Sequence, residues 1–304
     1  MIIANAIFYN GQSAERVYLG ENLVWEKTVT PPTPTYGSKT FAGKFTDNTM
    51  ESDWEFWPNG ATGASSTKIK DYVDPETKEF DFDFETPLTS CNYLFNGNTT
   101  TAKFQRIDHI PDTSKVTDMG YMFAFNRNLE EVDLSDLNTS GVTNMEYMFS
   151  GCIKLSSLDV SNFNTENVTN MSRMFNELYT IKELDVRNIN TDKVVYMSQM
   201  FGGNFSCILN TLYLNFNTSQ VTNMSEMFWR QTALKNVIGR FDGTKVNLRL
   251  ADCPLTADSA MVFINGLAEV SEAKTITFKS TTFDSLTPEQ IAVATFKGWN
   301  VVRG

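Results

Sequence analysis

Apolar and polar positions through the middle of this chain follow one eight-residue word. "VTDMGYMF" begins at Val116, "VTNMEYMF" at Val142, "VTNMSRMF" at Val168, "VVYMSQMF" at Val194 and "VTNMSEMF" at Val221. The steps are 26, 26, 26 and 27 residues. A fixed period of this size predicts stacked units that share one continuous core, because a single unit cannot bury its own apolar side. A weaker copy, "LTSCNYLF" from Leu88, precedes the first and predicts an atypical capping unit.

The remainder of each unit repeats as well. An aliphatic residue follows each octet: Leu129, Leu155, Ile181, Leu209 after a two-residue insertion, and Leu234. Then comes an apolar-x-apolar triplet, "VDL" at 132–134, "LDV" at 158–160, "LDV" at 184–186 and "LYL" at 212–214. "NT" recurs at Asn138, Asn164, Asn190 and Asn217. The alternation predicts a short strand with one face inward, and stacked strands predict a parallel sheet. Met and Phe three or four apart in the octet predict a helical turn on the opposite side. The methionines read as adaptable core filler rather than metal ligands. Thr and Asn suit turns in which side chains bond the backbone.

The unit V-T-x-M-x-x-M-F…L-x-x-L-D-L…F-N-T resembles the repeat of BspA-like leucine-rich-repeat surface proteins, over 88–246. The resemblance implies an α/β leucine-rich-repeat solenoid of about six units, with an adhesive or binding role and no catalytic site. Two departures stand out. "VVY" replaces "VTN" at Val194–Tyr196, and the fourth unit carries the insertion "GGNFSC".

The ends differ from the middle. "AIFYNG" and "ERVYLGENLVWEK" predict short strands turning at Asn10-Gly11 and Gly20-Glu21. "TVTPPTPTYG" predicts a stiff linker. This gives a β attachment segment at 1–27, a linker at 28–36 and a small β subdomain at 37–87. In the latter, "EFDFDFE" alternates as a half-buried strand. Its carboxylates also suit a metal or glycosidase site, but a solvated strand face is the simpler reading. Trp54, Phe56 and Trp57 fit a sugar-stacking platform or, more simply, a small core. After the repeats, 247–304 predicts an α/β cap. Thr256 and Thr287 are its helix N-caps, with Pro288 at a first helical position, Gln290 closing a capping box and Gly298 as a stop.

Composition narrows the function. The formal charge is −11, against wrapping nucleic acid. "MIIANAIFYNG" shows neither a signal peptide nor a membrane segment, and Met1 reads as the native start. Cys91, Cys152, Cys207 and Cys253 lie far apart with no metal spacing and read as small buried residues, with a disulfide framework the lesser alternative. His109 is the single histidine and reads as structural rather than as a base. No cofactor and no catalytic set is expected.

"RVYLGENLVWE" is similar to N-terminal segments of structural proteins of tailed phages, and the terminal cap resembles modules of gut bacteria and their phages. The resemblance implies a multimeric virion protein. It would dock to other virion proteins through Tyr18, Leu19, Val24 and Trp25, and its solenoid would meet a host surface glycan or protein. The alternative is a bacterial cell-surface adhesin of the same repeat type.

The expected ligand face is the exposed side of the sheet. The middle residue of each triplet must point outward. Those residues are Asp133, Asp159, Asp185 and Tyr213, flanked by Glu131, Glu183 and Arg187. The simple reading is a solvated column. The functional reading is a polar, acidic groove for a cationic or hydroxyl-rich ligand.

Overall fold

The computed structural model describes residues 88–96 and 104–304, together with the backbone of strands at 3–9, 12–19, 22–26, 40–45, 55–56, 67–68 and 79–83. The chain divides into two compact units, Met1–Gly37 and Ser38–Gly304.

The first unit is an antiparallel meander of β1 (Ile3–Tyr9), β2 (Gln12–Leu19) and β3 (Asn22–Glu26). Its register pairs Tyr9 with Gln12 and Leu19 with Asn22, as two-residue connections dictate.

The second unit opens with β4 (Thr40–Phe45), β5 (Glu55–Phe56), β6 (Thr67–Lys68) and β7 (Glu79–Asp83). The "EFDFDFE" run supplies β7, but the facing of its side chains lies outside the described residues, as do Trp54 and Trp57. Strands β8 (Phe104–His109) and β9 (Glu131–Val132) come next. β4 pairs antiparallel with both β7 and β8, and β8 pairs parallel with β9. The segment before the repeats thus adds directly to the repeat backbone. Strands β10 (Glu183–Val186), β11 (Thr211–Asn217) and β12 (Asn236–Asp242) form a three-stranded parallel sheet.

The chain closes with β13 (Leu248–Leu250), α1 (Ala257–Gly266), β14 (Lys274–Phe278), α2 (Ser280–Phe283), α3 (Pro288–Phe296) and β15 (Trp299–Arg303). β13, β14 and β15 pair in parallel. Thr256 caps α1 through the Ser259 N–H, and Thr287 and Gln290 close a capping box on α3. The described architecture is therefore mixed α/β, with short parallel sheets, few helices and no closed barrel.

The octets are not helical turns. Alternate N–H groups donate to the following unit instead of within the segment. Met145 donates to the Asn170 carbonyl (3.0 Å), Tyr147 to Ser172 (2.9 Å), Phe149 to Met174 (3.0 Å) and Gly151 to Asn176 (2.9 Å). The same ladder links the octets from Cys91 to Trp229. Aiming alternate N–H groups at the next unit, while Met148 and Ser150 turn back to the Met145 and Tyr147 carbonyls, requires the chain to reverse hand locally. The sixth octet residue accordingly has positive φ each time: Tyr121 57°, Tyr147 58°, Arg173 57°, Gln199 51° and Glu226 55°. A non-glycine residue there is strained by about 1–2 kcal/mol. The ladder bonds and the core beneath offset it.

That core is columnar. Val142, Met145, Met148, Phe149 and Leu155 are fully buried, as are their counterparts one period away. The Phe123, Phe149, Phe175, Phe201 and Phe228 rings stack with centroids 5.3, 6.2, 5.7 and 5.6 Å apart. Leu158 is only half-buried, against the expectation of full burial, although it packs on the core.

Buried threonines sew the units together. The Thr139 hydroxyl donates to the Asn164 carbonyl (3.0 Å) and accepts the Asn164 N–H (2.8 Å). Thr113, Thr165 and Thr191 do the same to Asn138, Asn190 and Asn217. One hydroxyl thereby satisfies both polar groups of a residue in the following unit, as a buried backbone requires. All four cysteines are free and buried. Burial raises the Cys152 thiol to about 12. His109 is nearly buried, its Nδ1 2.9 Å from Asp136.

Candidate binding face

The exposed side of the strands carries the residues expected there. Asp133, Asp159, Asp185, Glu131, Glu183 and Arg187 are exposed, and Tyr213 is half-buried. β10 and β11 set Asp185 directly beside Tyr213, and β12 adds Ile238 to the same row. Thr211, one row away, is buried rather than exposed.

Each aspartate has a local structural task. The Ser135 N–H donates to Asp133 Oδ1 (2.9 Å), the Ser161 N–H to Asp159 Oδ1 (2.9 Å) and the Arg187 N–H to Asp185 Oδ1 (3.1 Å). These are Asx turns that end the extended segments. Hydrogen bonds from the Ser161 side chain and N–H hold the Asp159 carboxyl below its usual range. The Arg187 side chain does the same for Asp185, through Nε at 3.0 Å from Oδ1. Arg187 also lies over the Tyr213 ring, 5.1 Å from its centroid.

The expected sheet is interrupted in the second repeat. Residues 156–160 form no strand between β9 and β10. Side chains from the next unit take carbonyls there instead. Asn162 Nδ2 donates to the Leu134 carbonyl (2.7 Å) and Asn188 Nδ2 to the Val160 carbonyl (2.6 Å). A cleft of about 560 Å³ lies at the interruption, lined by Ser157, Asp159, Ser161, Asp185, Arg187 and Tyr213 among others. A second cleft, of about 610 Å³, shares Arg187 and Asn188 and continues to Asn217, Arg240 and Asp242. Hydroxyls, amides, carboxylates and one guanidinium on an aromatic ring line this path. They present both donors and acceptors to a hydroxyl-rich ligand.

The structure brings Asp159, Asp185, Glu183, Arg187 and Tyr213 together at one cleft; Asp133 and Glu131 do not line it. The docking contact expected of Tyr18, Leu19, Val24 and Trp25 concerns side chains outside the described residues. Their backbone lies in β2 and β3.

Sequence reasoning missed an aromatic column. Tyr93 stacks on Tyr121 (4.5 Å) and Tyr121 on Tyr147 (4.4 Å), and Arg173 caps the Tyr147 ring at 4.9 Å. Its signal was present as Tyr, Tyr, Tyr, Arg at the sixth place of successive octets. Burial, together with Glu146 nearby, pushes the Tyr121 hydroxyl up to about 12.

Stacked units joined by a ladder and faced with polar side chains define a repeat protein. A family model described as "Mycoplasma protein of unknown function, DUF285" matches residues 89–207 and 178–250, together more than half of the chain, and the chain belongs to that family. The match agrees with the BspA-like surface repeat. No curated protein and no solved structure matches the chain. Among the described residues no helix is long and apolar enough to cross a membrane.

Proposed function

We propose that the chain is a non-enzymatic, BspA-like adhesin of a bacterial cell surface, and that its units form a leucine-rich-repeat solenoid. Its sheet-side cleft takes a neutral, hydroxyl-rich glycan. The observation that carries this reading is the pair of linked clefts around Arg187. Asp159 and Asp185 are held ionised there as acceptors, and Tyr213 offers an apolar ring surface beside them. Family membership supports a surface repeat protein over a particle component.

The test is binding of the full chain to an array of neutral glycans. Asp159→Asn combined with Tyr213→Ala is expected to reduce binding about tenfold or more, through loss of charged acceptors and ring contact. Unchanged binding by this folded variant removes the cleft from the reading.

A second reading, a tailed-phage virion protein, draws on β1–β3 forming a compact unit of their own. Its test is whether a chain lacking 1–27 still enters particles.

A further inference from the structure

Most side chains of the repeats belong to a column that recurs in every unit, and each column has an evident structural use. The fourth unit departs from this rule. Its insertion includes Gly203, where a Cβ would stand 2.5 Å from Cys207 Sγ and 2.9 Å from Gln231 Nε2. The loop places Phe205 in solvent at 76% exposure and Ile208 at 48%. Large apolar side chains this exposed in an inserted turn add nothing to the core.

Arg230, in the next unit, meets this loop. Its N–H donates to Asp252 Oδ2 (3.0 Å), and its φ of 57° matches the positive φ at the same place of earlier units, Phe125 and Glu177. Its guanidinium carbon lies 4.1 Å from the Trp229 ring centroid and 4.9 Å from that of Phe205. Both contacts place the guanidinium over ring faces, which offer it no hydrogen-bond acceptor in the way a carboxylate does. Arg106, Arg187, Arg249 and Arg303 each hold an aspartate. The Arg230 fork has no hydrogen-bond or ion-pair partner among the described residues.

We propose that Arg230, Phe205 and Trp229 form a second binding site, specific for acidic sugars. The planar fork takes a carboxylate or phosphate substituent through two parallel hydrogen bonds. The open face of Phe205 receives the C–H face of the sugar ring. Resting on two rings holds the guanidinium in place before the ligand arrives, so less ordering is lost on binding. The chain carries a formal charge of −11, so a polyanion is repelled by the molecule as a whole and must be captured locally. This site is separate from the sheet-side clefts and stands whether or not they bind neutral glycans.

The test titrates the full chain calorimetrically with four probes: a polyuronate oligosaccharide, a sugar-phosphate oligomer, neutral dextran and poly-glutamate. At least one of the two sugar anions is expected to bind, and which one identifies the source of the anion. Arg230→Gln is expected to weaken binding about tenfold or more, and Arg230→Lys, which keeps the charge but not the fork, by roughly threefold to tenfold. Phe205→Ala is expected to weaken it severalfold, and its ring stands in solvent, so the variant stays folded even if changes at Arg230 do not. Asp159→Asn with Tyr213→Ala leaves this binding unchanged, which separates the two sites. The proposal is overturned if neither sugar anion binds, if the Phe205 and Arg230 variants bind like the parent, or if poly-glutamate binds with the same Arg230 dependence.

Discussion

The two sides of each repeat are built to different standards. On the octet side, backbone hydrogen bonds run unbroken from unit to unit between Cys91 and Trp229. On the strand side, pairing stops after β9 and resumes at β10. The octet side gains its continuity by holding a residue in a left-handed conformation in every unit. The strand side is conformationally relaxed and lets side chains replace ladder bonds. Continuity and strain thus go together on one face, and irregularity and open clefts on the other. One cleft lies where the backbone is least uniform, and the other follows the paired strands β11 and β12.

This contrast can be broken most severely at the core beneath the octets. Phe149→Ala removes a ring stacked on Phe123 and Phe175 and should destabilise the chain by about 3–5 kcal/mol. A denaturant midpoint unchanged from the parent would refute the columnar core.

Next in size is the threonine seam. Thr165→Val keeps the shape but leaves the Asn190 N–H and carbonyl without the hydroxyl. The expected loss is about 1–3 kcal/mol, read by the same midpoint.

A smaller effect of opposite sign should appear at the strained position. Glu226, exposed at φ 55°, is a site where glycine relieves more than it removes. Glu226→Gly should stabilise by roughly 0.5–1 kcal/mol net of its lost bond to Gln199. The same change at exposed Glu183 in β10 should destabilise. Equal responses at both sites would erase the distinction between the two sides.

The smallest effect is electrostatic and belongs to the strand side. Asp159 and Asp185 have folded-state values below the ordinary 3.8. The unfolded chain therefore takes up protons first as the solution is acidified. The stability these groups contribute is full above 3.8 and disappears as pH falls through their folded values. Asp159→Asn should flatten that part of the acid titration, followed by circular dichroism, and leave the octet ladder intact.

Much of this was legible beforehand. The apolar spacing named the core columns, and the capping residues Thr256, Thr287 and Gln290 placed the helices of the C-terminal part. The octet conformation was not legible. Met and Phe three or four apart satisfy a helix and a run of turns equally, and only the direction of the N–H groups separates them. The missing strand at 156–160 was hidden for a similar reason. "LDV" reads the same whether its carbonyls meet a neighbouring strand or an asparagine amide. At the binding face, the aspartates were found as outward residues, but their use as turn caps depends on the residue two places on. The "GGNFSC" insertion stood out as a departure from the repeat, but the approach of Arg230 to Phe205 across it could not be read from the pattern.

The threonine seam also bears on how such genes change length. Removing the 26 residues from Asn138 to Phe163 joins Leu137 to Asn164 and sets the Thr113 hydroxyl opposite Asn164 instead of Asn138. The new junction has the same donor and the same acceptor as the old one, with Leu137 in place of Phe163 before the asparagine. Unequal recombination between copies can therefore shorten or lengthen the coding sequence by whole periods without inventing an interface. Selection is left to act on reach and on the surface displayed, while folding is inherited from the seam.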